Sequence, residues 1–161
     1  MAEQHRAVVK LREKFAGSIL DVKEFRGEVT VTVAKEEIVA ICTFLRDDLR
    51  YNLLSDVTAV DYNGREPRFM MVYNMYSIPN KDRLRVKAPV EESPAVVDTV
   101  STVWSTADWL EREVYDLFGI TFAGHPDLRR ILMPDDWQGH PLRKDYPVQG
   151  PDREPYQGRV S

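Results

Sequence analysis

With 161 residues, 43% hydrophobic content and a net charge of −4, the chain can bury one good core, and its acidic balance argues against nucleic acid as the main partner. No apolar run approaches the roughly 18 to 20 residues that span a bilayer, and Met1 leads into polar residues where a signal peptide would be apolar. Cys42 is the single cysteine, which excludes an internal disulfide and fits a reducing compartment.

Ala7, Val8, Leu11 and Phe15 recur at helical spacing, predicting a short amphipathic helix over 3–15 with Gly17 as its stop. Residues 19–25 and 29–33 flank Arg26-Gly27-Glu28, and Val29, Val31 and Val33 alternate, so a hairpin is predicted. Helical spacing returns over 35–45 through Ile38, Ile41, Cys42 and Leu45. Cys42 reads as a small buried hydrophobe, because no histidine or basic residue adjoins it in sequence to lower its pKa.

Three strands are predicted next, over 52–62, 69–76 and 84–88, separated by the turn compositions of 63–67 and 78–82. Ser93-Pro94 has the form of a helix start with proline at the first helical position, predicting a short helix over 94–100. This order of elements predicts a two-layer α+β domain over 1–122, with a mainly antiparallel or mixed sheet and helices on one face.

The stretch 109–147 organises the chain. Leu110, Val114, Leu117 and Phe118 form one helical stripe, and Glu111, Arg112, Glu113 and Asp116 fall on the other faces. Ser105 and Asp108 have the spacing of an N-terminal capping pair, and Gly119 sits where a left-handed residue would close the last turn. Beyond residue 118 lie six of the ten prolines, which interrupt every run long enough to propagate a helix or a central strand. Yet Phe122, Leu128, Ile131, Leu132, Met133, Trp137 and Leu142 are spread along the same segment and need cover. Residues 123–161 are therefore expected to be an extended tail lying along a surface, its own domain's or a partner's.

Glu111, Glu113 and Asp116 are close enough on one helix to be weighed as an acid–base pair, but carboxylates on a solvated helix face, with Arg112 to pair them and the helix dipole to favour them, are the plainer expectation. His125 and His140, with Asp127, Asp135 and Asp136, invite a metal reading; each histidine precedes a proline and the two lie far apart, which suits an imidazole held at a fixed turn better than a ligand set. There is no glycine elbow around a serine and no glycine-rich phosphate loop. From Gly119 onward six basic and six acidic residues balance, and such interleaved signs suit pairing with a protein.

EREVYDLFGI at 111–120, followed by GHPDLRRILMPDDWQGHPLRKDYP at 124–147, resembles the signature of the subunit lettered C in bacterial NADH-quinone oxidoreductase, a core subunit of the peripheral arm of respiratory complex I. SDVTAVDY at 55–62 and TVWSTADWLERE at 102–113 are similar to that family as well. The resemblance implies a subunit with no redox centre of its own, whose α+β domain packs on the hydrogenase-like subunit, lettered D, and whose tail wraps over it near the quinone-binding and iron–sulfur region. FMN, iron–sulfur clusters and quinone would belong to other subunits of the assembly, and the neighbouring iron–sulfur subunits would be further partners.

By the same resemblance Glu113, Asp116, His125, Arg129, Arg130, Asp136, His140, Arg143 and Lys144 are assigned to intersubunit contacts and tail anchoring. No catalytic residue is expected in this chain. It would be peripheral, on the cytoplasmic face of the inner membrane. Ending at Ser161, it is expected to be the short form, not fused to the hydrogenase-like subunit. Related subunits of membrane-bound hydrogenases and of ferredoxin-dependent complexes are the alternative, and a stand-alone enzyme using Glu111, Glu113 or Asp116 beside His125 is a second.

Overall fold

The computed structural model describes residues 4–150. The predicted helix start at residue 3 and the tail from 151 onward lie outside the described residues.

Helix α1, Arg6–Phe15, buries Ala7, Val8 and Leu11, and a 3-10 turn at Ala16–Ser18 ends it at Gly17. Strands β1, Ile19–Phe25, and β2, Glu28–Val33, form the predicted antiparallel hairpin. A 3-10 turn at Lys35–Glu37 leads into α2, Ile38–Asp47, which buries Ile38, Ile41, Cys42, Phe44 and Leu45. Then β3, Leu53–Asp61, β4, Phe69–Ser77, and β5, Asp82–Val90, run as an antiparallel meander.

These five strands make one sheet in the order β1-β2-β5-β4-β3, with β2 and β5 parallel, so the sheet is mixed. Alternation sets the two faces. Val29, Val31 and Val33, Leu84, Val86 and Ala88, and Phe69, Met71, Tyr73 and Met75 join the buried residues of all three helices in one core. Arg83, Arg85 and Lys87 alternate with the buried residues of β5, so the helices occupy the opposite face. Each fully buried Leu, Ile or Phe in such a core contributes about 1.5–3 kcal/mol.

The predicted helix over 94–100 is not there. Val96–Asp98 is instead a short strand, β6, paired in parallel with β7, Thr121–Ala123. Val96, Val97, Thr99 and Val100 are β-branched and gain more from lying against a neighbouring strand than from a single isolated helical turn.

Helix α3, Ala107–Phe118, lies between β6 and β7 in sequence and closes as predicted, with Gly119 at φ 73° and its N–H donating to the Tyr115 carbonyl at 2.9 Å. Its start differs: Thr106 is the N-cap and no side chain caps the helix. Its polar face differs more. Glu111 and Asp116 are fully buried and Arg112 nearly so, contrary to the solvated face expected from the pattern. Arg112 and Asp116 are covered by the stretch 124–150, here the strap, which has no helix or strand and lies back over α3, while Glu111 meets Thr99 and Val100 and has only His125 of the strap beside it.

Candidate functional site

The seam between α3 and residues 124–150 is where the side chains of the signature meet. Helices leave their last carbonyls without intrahelical partners, and α3 has these filled by the strap. His140 Nδ1 donates to the Asp116 carbonyl at 2.9 Å, the Leu142 N–H to the Leu117 carbonyl at 3.0 Å, and Arg143 Nε to the Phe118 carbonyl at 2.6 Å. Basic and N–H groups at this end also answer the negative pole of the helix dipole. Burial pushes the His140 imidazole below its usual pKa; the Asp116 carbonyl pulls the other way, while Arg143 and Arg130 add to the fall.

Asp116 is the centre of the seam. Its Oδ2 accepts three successive backbone N–H groups, from Ile131 at 3.1 Å and from Leu132 and Met133 at 2.8 Å each, and its Oδ1 meets Arg130 Nη1 at 2.6 Å. Burial alone would raise the Asp116 pKa, but the Met133 amide, the Arg130 guanidinium and the other two amides outweigh it and hold the carboxyl below its usual range. Arg130 reaches on to the Gly139 carbonyl at 3.1 Å. One turn earlier on α3, Arg112 donates to the carbonyls of Arg129 and Arg130, both at 3.2 Å, and its guanidinium lies 4.9 Å from the centre of the Trp109 ring.

A second clamp lies at the end of the sheet. Arg68, just before β4, holds Asp61 of β3 through two bonds of 2.9 Å, Asp145 of the strap at 2.7 and 3.1 Å, and Glu92. The Lys144 N–H donates to Asp61 Oδ2 at 2.8 Å. Asp61 and Asp145 are both held below the usual carboxylate range, chiefly by Arg68. Neither Asp61 nor Arg68 is singled out by the sequence, because they flank an ordinary turn and their strap partner is 77 residues away from Arg68.

At the start of the strap the His125 ring is fully buried. Its Nδ1 accepts the Asp127 N–H at 3.1 Å, which leaves the hydrogen on Nε2, donated to the Asp108 carbonyl at 3.1 Å. Glu111 accepts the Val100 N–H at 2.7 Å and bonds to the Thr99 hydroxyl, with His125 Nε2 at 3.9 Å.

The structure therefore divides the nine residues assigned from the signature. Asp116, His125, Arg130, His140 and Arg143 come together along the seam and bond within the chain. Glu113 and Asp136 are exposed, Arg129 is exposed and paired with Asp127 at 2.8 Å, and Lys144 contributes its backbone while its side chain stays in solvent. Arg112, expected to pair with the carboxylates beside it, instead holds strap carbonyls. Trp109 is 61% exposed, Leu132 59% and Leu142 49%, which leaves apolar side chains uncovered along a seam that is otherwise well bonded.

Among the described residues no group of three or more His, Cys, Asp or Glu side chains is placed to hold a metal ion. No helix among them is long and apolar enough to cross a membrane. Cys42 is buried in the core, and burial, with Glu111 nearby, pushes its thiol well above the ordinary value.

Residues 31–152 match the family described as respiratory-chain NADH dehydrogenase, 30 Kd subunit. The NADH-quinone oxidoreductase subunit lettered C of Geotalea uraniireducens is 74% identical over 100% of this chain and 98% of its own, and that of Geobacter sulfurreducens 72% identical over the whole of both. Among solved structures, a trypsin-resistant fragment (1–134) of Nqo5 is 33% identical with a TM-score of 0.68, covering 76% of this chain and 97% of that one. The membrane-bound sulfane sulfur reductase, an archaeal respiratory membrane complex, contains a chain 25% identical with a TM-score of 0.75, covering 88% of this chain and 84% of that one. The chain belongs to the family of the 30 Kd subunit of respiratory NADH dehydrogenase, the one lettered C in bacterial NADH-quinone oxidoreductase, and its place is in a respiratory oxidoreductase complex.

Proposed function

We propose that this chain is a non-redox core subunit of the peripheral arm of a proton-translocating NADH:quinone oxidoreductase, at the cytoplasmic face of the inner membrane, and that it braces the hydrogenase-like subunit that hosts the quinone. The observation that carries this reading is the α3–strap seam. Its polar groups are bonded within the chain, so the strap is held in shape, while Trp109, Leu132 and Leu142 stand exposed along it. A pre-shaped ribbon with exposed apolar anchors suits docking, because little ordering remains to oppose association. Exposed Glu113, Arg129, Asp136 and Lys144 would then form the polar rim and set the register with the partner. Bracing matters for rate because a small displacement of a quinone site costs reaction geometry.

The test is co-purification. The full chain is expected to capture the hydrogenase-like subunit and to oxidise no NADH by itself. NADH oxidation by the isolated chain, or capture unchanged after removal of residues 124–161, would contradict the reading. The similarity to a chain of the sulfane sulfur reductase favours one second reading, the equivalent place in a related membrane complex, and the partner recovered in the same experiment distinguishes the two.

A further inference from the structure

The Thr99 hydroxyl has one hydrogen and two neighbours that both need it. Its Oγ1 lies in bonding contact with Glu111 Oε2 and 2.8 Å from Ser101 Oγ, and it also accepts the Ser101 N–H at 3.1 Å. A hydroxyl can donate once and accept twice. Two arrangements satisfy every atom. In one, Glu111 is a neutral acid that donates to Thr99, and Thr99 donates to Ser101. In the other, Glu111 is a carboxylate that accepts from Thr99, and Thr99 accepts from Ser101.

The surroundings favour the neutral acid. Glu111 is fully buried, and among the described residues no lysine or arginine pairs with it. The titratable groups near it are neutral or negative. From α3 comes Asp108, from the strap His125 with its hydrogen on Nε2, from α2 the thiol of Cys42, from β4 the buried Tyr73 hydroxyl, and near them Asp98 of β6. Arg112, next in sequence, is bonded to the carbonyls of Arg129 and Arg130. A buried carboxylate without a cation is costly, and taking up a proton removes that cost. In keeping with this, burial pushes the Glu111 carboxyl up to about 7, against the pull of the Thr99 hydroxyl and the Val100 amide and with a further push from Asp108.

We propose that Glu111 is a proton-binding site that exchanges with solvent through the hydroxyls of Thr99 and Ser101. On release, Glu111 Oε2–H passes its proton to Thr99 Oγ1 as Thr99 passes its own hydrogen to Ser101 Oγ, and Ser101, which is half-buried, gives its own to water. Uptake runs the same steps in reverse, so one proton crosses and each hydroxyl ends with one hydrogen. The site lies under the start of the strap, where His125 covers it, and it stands independently of which partner the strap meets.

The test uses the full chain labelled with carbon-13 at glutamate carboxyls. Glu111, assigned by through-bond connection from its own backbone, is expected to titrate near neutrality, well apart from the other glutamates. Its acid proton in wild type is expected to exchange with deuterium at least an order of magnitude faster than in Thr99→Val. If Thr99→Val does not fold, Ser101→Ala, which cuts only the outer step, gives the same comparison. A Glu111 carboxyl ionised throughout the range in which the other glutamates are ionised would overturn the site, and unchanged exchange in the variant that folds would overturn the relay.

Discussion

Asp116 and Arg130 are 14 residues apart in sequence and 2.6 Å apart in space, and the contact between them fastens the strap to α3. With the three amides of Ile131, Leu132 and Met133 on the same carboxylate, it turns a segment without a helix or strand into one of fixed shape. Asp116→Ala is expected to abolish amide-exchange protection at 131–133 while leaving β4 and β5 protected. The loss should be about 2–4 kcal/mol, since hydrogen bonds to a charged group are worth about 1.5–3 kcal/mol each and the stranded amides partly recover water. Unchanged protection at 131–133 would show that the strap is held elsewhere.

The frame of the domain is legible in the sequence because its periodicities are local. The β1–β2 hairpin, the stripe of α2 and the left-handed Gly119 each follow from a handful of adjacent residues. The polar face of α3 is not legible in this way. Asp116 has the pattern of a solvated carboxylate until one knows that residues 131–133, which carry no period of their own, return to cover it. The Arg68 clamp is hidden for the same reason, its partners coming from β3, the turn after β5 and the strap. At 94–100 a proline after serine suggests a helix against the β-branched run behind it, and the parallel partner that decides the matter is β7.

Acid and neutral pH should act on different parts of the molecule. Asp61, Asp116 and Asp145 have folded pKa values below the ordinary 3.8, so their stabilisation is present above that pH and is lost as pH falls through the lower folded values. Glu111 has the opposite sign: raised from 4.5 to about 7, it stabilises the fold fully below 4.5 and loses that contribution as pH rises to about 7. At about 1.4 kcal/mol per pKa unit this amounts to about 3 kcal/mol, and Glu111→Gln should flatten the decline in stability between those pH values. His140, held below 6.5, adds a contribution that rises with pH in both proteins, so the comparison decides: equal slopes for wild type and Glu111→Gln between those pH values would contradict the assignment.

Arg68→Met should cost about 3–5 kcal/mol in denaturant unfolding, because it strands the fully buried Asp61 carboxylate beside the strap. Arg68→Lys keeps the charge but not the paired geometry toward Asp61 and Asp145, so it should recover only part of the loss. Equal stability of Arg68→Lys and wild type would mean that charge alone holds the clamp.

Gly119→Ala tests the close approach at the end of α3. A Cβ there would lie 2.5 Å from the His140 ring and 2.9 Å from the Arg143 guanidinium, at a backbone φ of +73°. The left-handed conformation alone costs an alanine about 1–2 kcal/mol, and displacing His140 should also uncover the Asp116 carbonyl. The expected readout is a loss of stability together with a changed His140 imidazole spectrum; a spectrum left as it was would mean that the ring does not sit against the glycine.

Equilibrium binding of the full chain to the hydrogenase-like subunit, compared with that of a Trp109→Asp, Leu132→Asp double variant, decides whether the seam is a docking surface. Both side chains are more than half exposed, so Leu132→Asp should change unfolding stability by no more than about 0.5 kcal/mol, and Trp109→Asp, which also removes the ring beside the Arg112 guanidinium, by about 1 kcal/mol. The double variant is expected to lose affinity by about a hundredfold, the value of about 2.7 kcal/mol of buried apolar anchors. Wild-type affinity in a correctly folded double variant would show that the strap seam is not the surface that meets the hydrogenase-like subunit.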